Sequence, residues 1–200
     1  MKERPILFSS PMVRAILEGR KTMTRRVVKP DPAGCWKKAF YNGDGFHFET
    51  CGGVQSNIIQ CPYGHPGDRL WVRETFRLPS RYDDATPEEL AAQVSRTEIR
   101  YLADGDVDLN GKTRPAIFLR YGWHRILLEV VSVRVERVRD IKANEVYLEG
   151  IEPILDVNSC VDYTKGARFI RLWDSINAKR GYGWAVNPWV WVVEFKRVTP

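Results

Sequence analysis

The sequence predicts a compact α+β fold, barrel-like in its strand content, with helices flanking the strands. Three observations carry that expectation. Segments that alternate apolar and polar residues recur along the chain, at 6–8, 67–74, 124–138 and 189–195. Helical spacing falls between these segments and not in one block of its own. No repeat, low-complexity tract or linker long enough to separate a pair of domains interrupts the 200 residues.

Composition narrows the class. The chain is 44% hydrophobic and 28% charged, too apolar for disorder and too punctuated for a coiled coil. No run approaches the roughly 20 apolar residues of a membrane span. Met-Lys-Glu-Arg-Pro leads straight into an alternating segment, with no export stretch, so a soluble cytoplasmic protein without a membrane partner is expected. Lys and Arg number 31 against 25 Asp and Glu, a formal charge of +6. A balance of that sign suits a partner bearing phosphate, although placement of the charges decides. Four cysteines are too few for a disulfide scaffold and are expected reduced.

Taken in order, Ile6-Leu7-Phe8 reads as a short strand. Ser10 reads as an N-cap with Pro11 as the first helical residue, since neither position needs an in-helix partner for its N–H. Val13, Ile16 and Leu17 keep helical spacing, and Gly19 supplies a left-handed stop. Residues 30–67 are broken by glycine and proline yet carry Trp36, Phe40, Tyr41, Phe46 and Phe48, the signature of an irregular or hairpin-rich insertion. A strand follows the turn at Gly67-Asp68. Thr86-Pro87-Glu88-Glu89 is a capping box opening a short helix with Leu90, Ala91 and Val94 on one side. Ile99 and Tyr101 suggest a strand, and Asn110-Gly111 a tight hairpin turn. The long strand over 124–138 sets Val131, Val133 and Val135 on one face. Residues 142–149 read as a short helix, and 165–180 as a longer one burying Phe169, Leu172, Trp173 and Ile176, with Gly181 at its end. In the last strand Trp189, Trp191, Val193 and Phe195 alternate with Val190, Val192 and Glu194.

Several motifs fall away. Gly19-Arg20-Lys21-Thr22 lacks the glycine before lysine, and the strand-to-helix order, of a phosphate loop. Asp106, Asp108, Asn110 and Gly111 begin like a calcium loop, but Ile117 stands where the bidentate glutamate belongs. Cys35, Cys51, Cys61 and His65 are zinc-ligand types without a close cysteine pair, so no metal is expected. His47, His65 and His124 form no metal-binding pair and no catalytic set with serine and aspartate.

What stands out is a basic cluster just past the first helix. Arg20, Lys21, Arg25, Arg26 and Lys29 place five cations in ten residues, interleaved with Thr22 and Thr24. Gly19-Arg20-Lys21-Thr22-Met23-Thr24-Arg25-Arg26 resembles the G-x-K-T-x-[E/T]-x-R motif of the ASCH (activating signal cointegrator homology) family. Gly67-Asp68-Arg69-Leu70-Trp71-Val72, Tyr147-Leu148-Glu149-Gly150-Ile151 and the closing strand at 189–197 are similar to further blocks of that family. With Leu172-Trp173-Asp174-Ser175-Ile176-Asn177, the chain most resembles the long ASCH proteins of bacteriophages and prophages. The resemblance implies a PUA-like β-barrel with flanking helices in one domain over 1–200, with 30–60 and 77–120 as insertions. It also implies RNA or a modified nucleoside as partner, and no cofactor.

One branch of the family, the N4-acetylcytidine amidohydrolases, uses a lysine, a threonine and a glutamate. The resemblance carries the first two onto Lys21 and Thr24. It carries the glutamate onto Glu149 by its place after the central strand, with Glu74 as a second candidate by chain position. Arg20, Arg25, Arg26 and Trp71 are then candidates for contacting substrate or RNA, and Trp184 and Trp189 for stacking. Amide hydrolysis needs a nucleophile, a base and donors for the oxyanion. Lysine serves as base only if burial or nearby cations lower its pKa, and an ion pair with Glu149 works against that. In an extended strand Lys21 and Thr24 would face opposite sides, so a turn around Thr22-Met23 is required. The alternatives are a non-catalytic RNA-binding module and a metal-independent ribonuclease.

Overall fold

The computed structural model describes residues 1–29, 36–41, 45–50, 58–105, 110–151 and 161–198. Among these residues ten strands and four α-helices follow one another as β1 (Glu3–Leu7), α1 (Ser10–Leu17), β2 (Met23–Val27), β3 (Trp36–Tyr41), β4 (Phe46–Thr50), β5 (Arg69–Arg73), β6 (Phe76–Arg77), α2 (Pro87–Gln93), β7 (Arg100–Tyr101), β8 (Thr113–Arg114), β9 (Leu127–Arg137), α3 (Ala143–Leu148), α4 (Val161–Asn177) and β10 (Trp189–Val198). The architecture is α+β. Its frame is a five-stranded sheet in the order β1-β5-β9-β10-β2, parallel between β1 and β5 and antiparallel elsewhere.

β10 is the spine of the molecule because both of its faces are apolar. Trp189, Trp191, Val193 and Phe195 enter the main core with Ile6, Phe8, Val13, Leu70 and Leu128. Val190 and Val192 enter a second core, with Met23, Val146, Phe169 and Trp173, under α3 and α4. A β-bulge interrupts the pairing: Glu194 lies opposite Ser132 and Phe195 opposite Val130. That leaves Val131 without a partner and 49% exposed. The expected alignment of Val131 with Val133 and Val135 is therefore corrected, since the extra residue hands the inward position to Val130.

Within the stretch over 30–60 the described residues form the β3–β4 hairpin, whose aromatics reach into the main core. Phe46 meets Trp191 edge-on at 4.9 Å, and Trp36 stacks on Phe48 at 3.8 Å. The stretch over 77–120 builds a third cluster around Leu78, Tyr82, Ile99 and Leu119, together with Phe76 and Trp123, beside a small sheet in the order β7-β6-β8. The hairpin expected at Asn110-Gly111 is not formed, because β6 lies between β7 and β8 and pairs with both. Gly111 serves a close passage instead: a Cβ there would sit 1.9 Å from the Leu78 carbonyl oxygen.

Local signals behave as their chemistry dictates. Ser9, one residue earlier than expected, is the N-cap of α1, and Gly19 stops that helix at φ 75°. At α2 the Thr86 hydroxyl accepts from the Glu89 amide at 3.3 Å while the Glu89 carboxylate accepts from the Thr86 amide at 2.8 Å. α4 ends at Asn177 and runs into a 3-10 turn closed by Gly181. Its buried face is narrower than expected: Phe169 and Trp173 are packed, Leu172 is half-buried and Ile176 exposed, since these two border a cleft. No helix among the described residues is long and apolar enough to cross a membrane.

Candidate active site

The site is assembled from the backbone outward. After Gly19 the chain doubles back on α1, with the amides of Arg20 and Lys21 both donating to the Ala15 carbonyl at 2.9 Å. The Thr22 amide then donates to the Leu148 carbonyl at 3.0 Å, and the Phe195 amide to the Thr22 carbonyl at 2.9 Å. Residues 20–22 are thus stitched between the end of α3 and β10, with Lys21 facing Glu149 as an isolated antiparallel bridge. Gly150 makes this approach possible. Its φ is +83°, and a Cβ would lie 2.8 Å from the Ala15 Cβ and 3.1 Å from the Lys21 Cβ.

Lys21 lies outside β2, and its side chain folds back along the edge of that strand. The buried amine donates to the Met23 carbonyl at 2.8 Å, the Glu149 carbonyl at 2.8 Å and Glu149 Oε2 at 2.9 Å. All three donors of the ammonium are engaged. The amine's hydrogen bonds go to Met23 and Glu149 and none to the Thr24 side chain; Met23 and Thr24 lie in the extended β2, so the turn expected around Thr22-Met23 is not formed. Burial pulls the Lys21 pKa below the ordinary lysine value, against the pull of Glu149 and with help from the positive fields of Arg26 and Arg25.

Glu149 divides its carboxylate. Oε2 takes Lys21, and Oε1 takes Arg25 Nη1 at 3.2 Å. Arg25 is itself gripped by Glu136, at 2.9 and 2.7 Å, and by Glu145. Arg134 extends the lattice to Glu136 at 3.2 Å, Glu145 at 2.6 Å and Glu194 at 2.7 Å. The register explains the meeting: Val192 of β10 pairs with Arg25 on one side and Arg134 on the other, so both guanidinium groups emerge on the α3 face. Burial would raise the Glu145 pKa, but the Lys142 amide, Arg25 and Arg134 outweigh it and hold that carboxyl below the ordinary value.

A cleft of about 280 Å³ opens along the edge of β2. Thr24, Arg25, Arg26 and Glu149 form one wall, Leu172, Trp173 and Ile176 of α4 another, and Met12, Pro62 and Tyr63 a third. Trp191 and Tyr182 add aromatic surface. The structure therefore brings Lys21, Arg25 and Glu149 into direct contact and sets Thr24 and Glu149 on the same cavity.

Other candidates from the sequence lie elsewhere. Arg20 bonds Glu18 and, at 3.3 Å, the Gly150 carbonyl. Trp71 packs on Tyr121 at 5.6 Å with the Arg73 guanidinium 4.6 Å above it, on β5, which β9 and β10 separate from β2. Glu74 is buried and doubly bonded to Arg125 at 2.8 and 2.9 Å, and burial raises its pKa against that arginine. Glu149, not Glu74, is the carboxylate beside Lys21. Trp184 packs on Phe169 at 6.0 Å, and Trp189 lies in the main core beneath Arg137.

Sequence reasoning missed Arg134, Glu136 and Glu145, which read as the ordinary polar face of a strand and a short helix. It also missed Tyr63, Trp173, Tyr182 and Trp191 as cleft aromatics, since no local spacing joins them. No group of three or more metal-ligating side chains exists among the described residues. Burial pushes the Cys61 thiol up to about 11, the behaviour of a packed thiol. Cys35, Cys51, Asp106 and Asp108 lie outside the described residues. Comparison with family models, curated proteins and solved structures returned no match for this chain.

Proposed function

We propose that the chain is an ASCH-like protein, its sheet the core of a PUA-like barrel, whose cleft binds a modified nucleoside and hydrolyses the amide of an N4-acylated cytidine. One observation carries the reading: a buried lysine, held by Glu149 at 2.9 Å and by the carbonyl preceding Thr24, beside a cavity that Thr24 and Glu149 line. Burial and the neighbouring arginines favour a lysine able to act as base, while Glu149 orients it.

In this reading neutral Lys21 takes the Thr24 hydroxyl proton as the oxygen adds to the acyl carbon. The C–N bond breaks, the proton passes to N4, and cytidine leaves with its amino group restored. Water then splits the acyl–threonine ester to give the free acid and the original hydroxyl. The test is incubation of purified protein with N4-acetylcytidine, read by chromatography. Cytidine release that disappears in a folded Lys21→Ala variant is expected. Equal release by the variant and the wild type, or none by the wild type, overturns the proposal.

A further inference from the structure

Several cations near the candidate site and on the surface are matched by carboxylates. Lys21, Arg25 and Arg134 share Glu136, Glu145, Glu149 and Glu194, and exposed pairs such as Lys112–Asp84 and Lys196–Glu129 follow the same habit. Three cations that line the cleft are not matched in this way. Arg26 donates to the Leu7 carbonyl at 2.7 Å and lies 5.2 Å from the centre of the Phe8 ring. Lys29 rests over the Tyr182 ring at 5.6 Å. Arg180 comes from the turn that closes α4. All three line the cleft, and none forms an ion pair among the described residues. Glu149, the one carboxylate on the described walls, has both oxygens engaged by Lys21 and Arg25. Among the described residues the cavity therefore offers positive charge without a free carboxylate, next to aromatic faces that suit a base. A neutral nucleoside would leave all three cations unused.

We propose that this cleft takes its nucleoside as a phosphate ester, with the phosphate among Arg26, Lys29 and Arg180; this rests on the nucleoside reading of the same cleft. The ester is either a mononucleotide or a residue within an RNA strand, since both present the same group. Arg26, Lys29 and Arg180 share the cavity lining with Glu149, which holds Lys21, so one ligand in the cavity meets both the cations and that carboxylate.

The test is calorimetric titration of the full chain at low salt with cytidine, its 3′- and 5′-monophosphates, inorganic phosphate and a short cytidine-containing oligoribonucleotide. The monophosphate or the oligonucleotide is expected to bind at least tenfold more tightly than cytidine. Raising the salt should weaken this, and a Lys29→Ala/Arg180→Ala variant should lose it; both residues are exposed, so the fold is not at stake. An oligonucleotide tighter than either mononucleotide assigns the site to RNA, and equal affinities assign it to free nucleotides. Cytidine binding as tightly as its phosphates overturns this proposal and leaves the nucleoside reading standing. Inorganic phosphate binding that needs Lys29 and Arg180, with no binding of any cytidine compound, overturns the nucleoside reading and confines the site to phosphate.

Discussion

Of the three glutamates buried among the described residues, Glu74 and Glu149 are each held by an arginine and are built differently. Glu74 offers both oxygens to the single guanidinium of Arg125, which also reaches Asp104 and stacks over Tyr101 at 4.1 Å. Phe76 and Tyr101 of the third cluster flank this pair in the chain and the small sheet, and Glu74 does not line the cleft. Glu149 splits its oxygens between Lys21 and Arg25 and borders that cleft. A carboxylate closed on one partner fixes the junction of two packed regions. A carboxylate shared between a lysine of lowered pKa and a clamped arginine, with open space beside it, is the arrangement the proposed chemistry would use.

The sharpest way to break this contrast is to remove one member on each side. Lys21→Ala should reduce amide hydrolysis by about 10²–10⁴-fold, the usual contribution of a positioned acid–base group, measured as cytidine release. Glu74→Ala leaves Arg125 without its bidentate partner and should lower unfolding free energy by about 3–5 kcal/mol in urea titrations, as breaking a buried pair does, while turnover per folded molecule is unchanged. A large loss of turnover in Glu74→Ala would erase the distinction. Gly150→Ala forces a side chain onto Ala15 and Lys21 at φ +83°, at a cost of about 1–2 kcal/mol for the left-handed backbone alone. It should also depress turnover, because the displaced group is Lys21.

The smallest effects are those of pH, and the two sides have opposite signs. Lys21 has a lowered pKa in the folded protein, so between that value and the ordinary 10.5 the unfolded chain holds more protons. Stability gains from this group as pH rises through the window, and turnover should rise with it as the amine loses its proton. Glu74 is raised by burial above the ordinary 4.5, so there the folded state holds more protons and its contribution falls as pH rises. Urea midpoints of the wild type and Glu74→Gln across both windows check the two slopes.

Much of the scaffold was legible because its signals are local. The alternation in 189–195, the stop at Gly19 and the Thr86–Glu89 box each act within a few residues. The bulge at Val131 was hidden because it depends on how β9 meets β10, and the place of β6 between β7 and β8 depends on partners more than 20 residues apart. The same divide runs through the site. Lys21, Thr24 and Arg25 share one short segment and a legible cluster, whereas Arg134, Glu136 and Glu145 acquire meaning only through cross-strand register. The cleft aromatics Tyr63, Trp173 and Trp191 come from a loop, a helix and a strand and carry no common spacing.

β2 is the last strand on its side of the sheet, and an open rim of that kind invites stray chains to pair with it. Here the start of the strand is already taken. The Leu148 carbonyl holds Thr22 just ahead of it, and the lysine amine occupies the carbonyl of its first residue, Met23. The contacts that gather the polar groups therefore also cover the start of this edge. Damage to them would be felt as clumping in concentrated samples as well as in any assay of turnover.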